Sequence, residues 1–185
     1  MPSPEAAAPP AADEADGVLS ARLRRETRPD HAQVDAAFGC FDLTRPASYA
    51  AFLTAQARIL PALEAALDPA ALVPGWQGRT AALLQDLRDL QVPVPGADPV
   101  TLAPGASSRW GALYVLEGSR LGGAVLSRRV PAALPRAFLG AAHPPGAWRH
   151  WLALMDAANP SERAQGDAVG AAKAVFAAFV RSAAA

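Results

Sequence analysis

The sequence predicts an all-α fold, a single domain of six to eight helices, on three observations. Apolar residues recur at i, i+3, i+4 and i+7 in every long segment, the spacing that lines them along one helix face. No segment alternates apolar and polar residues over enough positions to make a half-buried strand. The hydrophobic fraction of 51% is swollen by alanine, the best helix former and small enough for closely packed helices.

The elements follow in order. Residues 1–17, MPSPEAAAPPAADEADG, are rich in Ala, Pro and acid and read as a disordered tail. They lack the basic and apolar regions of a secretory signal. The helical domain is expected over 18–185. Its first helix starts near Ser20, a plausible N-cap, and carries Leu23, Thr27, His31, Val34 and Phe38 on one face. Pro29 inside it predicts a kink or a restart.

Thr44 is the expected cap of a second helix, with Pro46 in its first turn. Tyr49, Phe52, Leu53, Gln56, Ile59, Leu60, Leu63 and Leu67 follow at helical spacing, and Pro61 should bend the helix. A VPGWQG turn leads to a third helix with Leu83, Leu84, Leu87 and Leu90, then to a loop dense in Pro and Gly, VPVPGADPVTLAPGASS. Next comes WGALYVLEGSRLGGAVLSRRV, residues 110–130, ended by Pro131. A short piece around LPRAFLG precedes two helices, one with Trp148, Trp151, Leu152 and Met155, the other with Val169, Val175, Phe176, Phe179 and Val180.

Charge and motifs narrow the function. Lys+Arg and Asp+Glu both number 17, which gives no global attraction to nucleic acid or acidic lipid. No apolar run approaches the roughly 18 residues of a membrane span, so a cytoplasmic protein is expected. Cys40 is the single cysteine; beside Phe38 and Phe41 it reads as a buried, inert thiol. There is no HExxH, no Walker sequence, no GxSxG and no Glu-x-x-His pair. Of three histidines, His143 and His150 read as surface or half-buried residues. His31 lies on the apolar side of its helix, as a core histidine or a metal ligand.

The 110–130 helix poses the sharper question. Gly111, Gly118, Gly122 and Gly123 sit inside it, although each costs about 1 kcal/mol relative to alanine. Gly118 and Gly122 are at i and i+4, with Gly111 on a similar face. Such a smooth face serves either close helix packing or a planar ligand held between it and His31.

LRRETRPDHAQVD (residues 23–35), YAAFL…LE (Tyr49 to Glu64) and LYVLEGSRLGGAVL (113–126) together resemble the bacterial heme oxygenases, most closely the subclass found alongside bacteriophytochromes. The likeness runs from about Leu19 to Phe179. It implies a heme-oxygenase-like helical bundle with His31 as axial ligand to heme iron and Gly118, Gly122 and Gly123 over the porphyrin. It also implies Arg24 and Tyr114 on the propionate side, and Thr27 beside His31 on the cofactor face. Gly118, Ser119 and Gly122 form the implied catalytic set. Ser119 stands where mammalian-type members have an aspartate, and Arg120 is a candidate distal arginine. Asp35 is expected to be solvated, with orientation of His31 as the alternative; Glu117 is assigned to solvent or helix contact, Phe176 and Phe179 to the core. Arg149 is a candidate for a propionate.

The implied reaction cleaves heme, both substrate and cofactor, with O₂ to biliverdin, CO and Fe²⁺. Its electrons come from an external donor, a reductase or ferredoxin, and a bacteriophytochrome is the implied recipient of biliverdin. A heme carrier or sensor of the same fold, and a helical scaffold without heme, are the alternatives.

Overall fold

The structure, a computed structural model, describes residues 18–185. The proposed tail, 1–17, lies outside the described residues. Eight α-helices and two 3₁₀ turns make up the regular structure, with no strand among the described residues.

The first predicted helix is two. α1 (Leu19–Glu26) ends at Thr27, and α2 (Arg28–Gly39) begins with Pro29 in its first turn. Proline in a helix interior costs about 3 kcal/mol, whereas the first turn has no ladder donor to lose. The restart is the cheaper conformation. Thr27 is buried at the break, and its hydroxyl donates to the carbonyl of Leu23 at 2.7 Å.

Two predicted caps fall elsewhere. Val18, not Ser20, is the N-cap of α1. The amide and hydroxyl of Ser20 both donate to the carboxylate of Asp156, each at 2.7 Å, so the cap comes from across the fold. α3 (Pro46–Leu67) starts after Arg45, not Thr44, whose hydroxyl donates to Asp42 Oδ1 at 2.6 Å instead. α3 runs through Pro61 without a break and buries Tyr49, Leu53, Leu60 and Leu63 completely. A 3₁₀ turn (Pro69–Ala71) follows.

Glu64 of α3 then caps α4 (Thr80–Asp89), accepting from the amides of Arg79 (2.7 Å) and Thr80 (3.2 Å) and from the Thr80 hydroxyl (2.6 Å). α5 (Ala106–Leu126) is the glycine-bearing helix, followed by a 3₁₀ turn (Ser127–Arg129). α6 (Ala137–Gly140) is a single turn, before α7 (Ala147–Ala158) and α8 (Glu162–Ala183). α5 and α8 share the most extensive helix contact, along a seam of small buried residues that includes Gly111, Ala112, Ala168 and Ala172.

Asp86 holds α6 in place. Its buried carboxylate accepts from the amides of Ala137 and Phe138, both at 2.9 Å. Asp86→Ala strands two amide donors, one of them in a buried bond, and is expected to cost about 2–4 kcal/mol in urea unfolding, at 1–3 kcal/mol per unsatisfied group.

Candidate functional site

Two adjoining cavities lie between α2, α5 and α8. The first, of about 390 Å³, is lined by His31, Phe38, Gln56, Arg79, Gly118, Ser119, Gly122, Gly123 and Phe176, among others. The second, of about 740 Å³, opens beside Arg24, Arg25, Thr27 and Arg28. Both touch His31, Asp35, Tyr114 and Phe176. One end of the combined space is therefore apolar and the other strongly basic.

His31 is not a core histidine: its side chain is 63% exposed. Nδ1 lies 3.0 Å from Asp35 Oδ2 one helical turn on, so Asp35 is exposed yet paired with the ring. A carboxylate accepts, which places the hydrogen of the neutral ring on Nδ1 and leaves the lone pair on Nε2. The edge of Phe176 meets the ring at 5.9 Å between centroids. Phe176 and Phe179 are buried, as expected of core residues, and also wall the first cavity.

The glycines of α5 divide into two groups. A methyl added at Gly111 would overlap the backbone carbonyl of Ala168 on α8. Gly111 is a packing glycine, which corrects the expectation that it joins the smooth face. Its angular position matches that of Gly118, but about two turns along the axis the face has passed from α8 to the cavity. At Gly118 a methyl would reach only Trp148, at 3.7 Å, and at Gly122 nothing within 4 Å. At Gly123 it would touch Leu139 at 3.5 Å, an ordinary contact. Gly118 and Gly122 thus border free space that larger side chains would fill.

Ser119 lines the same cavity and is held by Arg79, absent from the sequence-based candidates. Arg79 is 3% exposed and donates to the Leu116 carbonyl at 3.0 Å and to Ser119 Oγ. It lies over the ring of Phe138, 4.9 Å from its centroid. Burial, aided by the charge of Arg120, lowers its pKa to about 10, so it remains a cation at neutral pH. Arg120 itself lines neither cavity. Its Nε sits 3.0 Å from Glu117 Oε2 as an ion pair without hydrogen-bond alignment, and its guanidinium lies 5.9 Å from the Trp76 ring. Glu117 is buried and also accepts from Trp76 Nε1 at 2.8 Å, so it joins α5 to the segment before α4 rather than facing solvent.

On the basic side, Arg24 borders the second cavity and Tyr114 borders both. Burial raises the Tyr114 pKa, opposed by the charge of Arg24. Thr27 reaches this cavity with its hydroxyl already committed to Leu23. Arg149 and His150 are exposed and line neither cavity, while His143 is half-buried, as expected, with its side chain only 8% exposed. Cys40 is exposed, not buried.

The arrangement suits a flat, largely apolar ligand with an anionic edge and a metal that lacks one nitrogen donor. No protein-family model matches the chain. Over 147 residues it is 38% identical to a heme oxygenase of Xanthomonas campestris pv. campestris (strain 8004), covering 71% of this chain and 86% of that protein. The fold also matches that of the NO- and CO-bound heme oxygenase from Neisseria meningitidis with a TM-score of 0.78, at 24% identity and 90% coverage of each chain. With sequence likeness over most of the relative's length, the chain is an enzyme of the heme oxygenase family.

Proposed function

We propose that this enzyme binds heme in the joined cavities and degrades it with O₂ and externally supplied electrons to biliverdin, CO and Fe²⁺. One observation carries the reading: an imidazole with its Nε2 lone pair free and two glycines bordering open space line a single cavity. Bound heme supplies the iron that takes up O₂ and is itself the macrocycle that is opened.

Each residue then has a task. His31 Nε2 would be the nitrogen donor to the heme iron, and Asp35 would fix the ring through Nδ1, raising its basicity. Arg24 and Tyr114 hold the propionates, with Thr27 forming part of the wall beside them. Gly118 and Gly122, with Gly123 beside them, keep side chains off the ligand, so backbone alone sets the approach. The Ser119 hydroxyl donates to the Leu116 carbonyl at 2.6 Å and accepts from Arg79. One lone pair remains, so Ser119 accepts from a water in the cavity and orients it as a proton source. The phenylalanine walls exclude further water.

The electron donor is a reductase or ferredoxin. The resemblance of the motifs to the bacteriophytochrome-associated subclass supports a bilin photoreceptor as recipient of biliverdin. No helix of the described residues is long and apolar enough to cross a membrane, and we place the reaction in the cytoplasm. The test is aerobic incubation of hemin-loaded protein with a reductase system, with product extraction and CO capture. Biliverdin and CO appearing together are the expected result. Intact heme after exhaustive reduction in air contradicts it and makes the protein a heme carrier or sensor.

A further inference from the structure

The segment joining α6 to α7 crosses α5 where the glycines lie. It is anchored at one end by Asp86 under α6 and at the other by the Ser20–Asp156 contact on α7. Gly146, at φ +82°, turns the chain into α7 in a conformation that side-chain-bearing residues rarely adopt. Between the anchors, His143 Nε2 lies 3.0 Å from the carbonyl oxygen of Glu117 and 3.5 Å from its carboxylate Oε2. Both oxygens accept, so Nε2 carries a hydrogen. Arg120 Nη1 returns a contact to the Ala141 carbonyl at 3.4 Å. The Trp148 ring lies 6.0 Å from that of His143, tilted by 35°, and is the side chain nearest a methyl at Gly118.

Two consecutive helix carbonyls, Leu116 and Glu117, thus take donors from outside α5: Arg79 on the first and His143 on the second. In a regular helix these carbonyls receive the amides of Arg120 and Leu121. The turn they belong to runs straight into Gly118, Gly122 and Gly123, the part of α5 with the lowest intrinsic helix stability. We infer that His143 is a positioning residue for the reaction: through its Nε2–H on the Glu117 carbonyl, it tethers the glycine turn of α5 to the α6–α7 strap.

The tether belongs to the folded chain; its consequence for turnover rests on the proposed heme site. Amide hydrogen exchange on the full-length, ligand-free protein tests it first. His143→Ala is expected to speed exchange at Leu121 and its neighbours through Gly123 about five- to tenfold, the size of one neutral hydrogen bond. Amides of α3 and α8 should be unchanged, and His143→Gln, which can present an Nε2–H, should restore slow exchange. His143→Asn, too short to reach, is a second probe and should behave like the alanine variant. Unchanged exchange in both short variants overturns the tether. A rise spread across α3 and α8 makes His143 a general core residue and overturns it too, as does failure of glutamine to rescue.

The second readout is hemin release to an apo-acceptor, expected to be faster by a similar factor in His143→Ala and near wild type in His143→Gln. A wild-type protein that forms no defined hemin complex would sink the proposed function, and the exchange data would still decide the tether.

Discussion

His31→Ala is expected to give a folded protein that takes up hemin without a sharp Soret band and forms no biliverdin. The ring is mostly exposed, paired with Asp35 and set edge-on against Phe176. Exposed substitutions of this kind shift stability by about 0.5 kcal/mol or less, so the unfolding midpoint should hold. The loss falls on the ligand. Removing a partner that merely orients a metal ligand costs about 10–100-fold; removing the donor itself should cost at least that in hemin retention, and turnover should vanish. Asp35→Ala keeps Nε2 but frees the ring, and should show the milder loss of about tenfold. Absorption titration beside urea unfolding separates the two effects. A His31→Ala protein that retains the wild-type hemin spectrum would place the axial donor elsewhere.

The glycines of α5 yield the second large effect, with opposite signs for residues of one helix. Gly111→Ala drives a methyl into the Ala168 carbonyl on α8. Backbone on both sides leaves no flexible atom to move aside, and overpacking of this kind costs about 1–3 kcal/mol or more. Gly122→Ala meets nothing within 4 Å and removes a helix-interior glycine, so stability should rise by about 1 kcal/mol. Gly118→Ala, in ordinary contact with Trp148 at 3.7 Å, should also stabilise. Denaturant unfolding of the three variants reads the signs directly. If Gly122→Ala were as destabilising as Gly111→Ala, all the glycines would serve helix packing and the smooth face would have no ligand to explain it.

What could be read from residues alone divides by the range of the interaction. The helical segments follow from local periodicity, and the restart at Pro29 follows from the ring's missing donor. The cap expected at Ser20 falls elsewhere because the distant carboxylate of Asp156 takes its amide and hydroxyl, and Glu64 and Asp86 likewise reach α4 and α6 from afar; Thr44 instead turns back to Asp42, two residues away. The site shows the same division. His31, Gly118 and Gly122 stand out by spacing and by resemblance to a family. Arg79 sits in an aperiodic turn, and only tertiary folding brings it to Ser119 on α5. Its one local signal is a lone cation next to Gly78, where a methyl would overlap the Glu64 carboxylate. Arg120, the distal arginine the sequence offers, adjoins Ser119, yet on a helix consecutive residues point about 100° apart. It turns to Glu117 and Trp76 instead. Gln56 was legible as a helix-face residue but not as part of the cavity wall it lines.

The central claim is that the space beside His31, Gly118 and Gly122 is where heme sits. Its most direct test is a hemin titration of wild type and Gly122→Leu, followed at the Soret band, with unfolding curves confirming that both are folded. Wild type should saturate at one hemin per chain with a sharp band, and the leucine, free to extend into the cavity, should weaken binding at least tenfold, the cost of about 1.4 kcal/mol of lost fit. Equal affinity and an identical band in the two proteins would contradict the account, because a ligand indifferent to a side chain at Gly122 is not lying against that face.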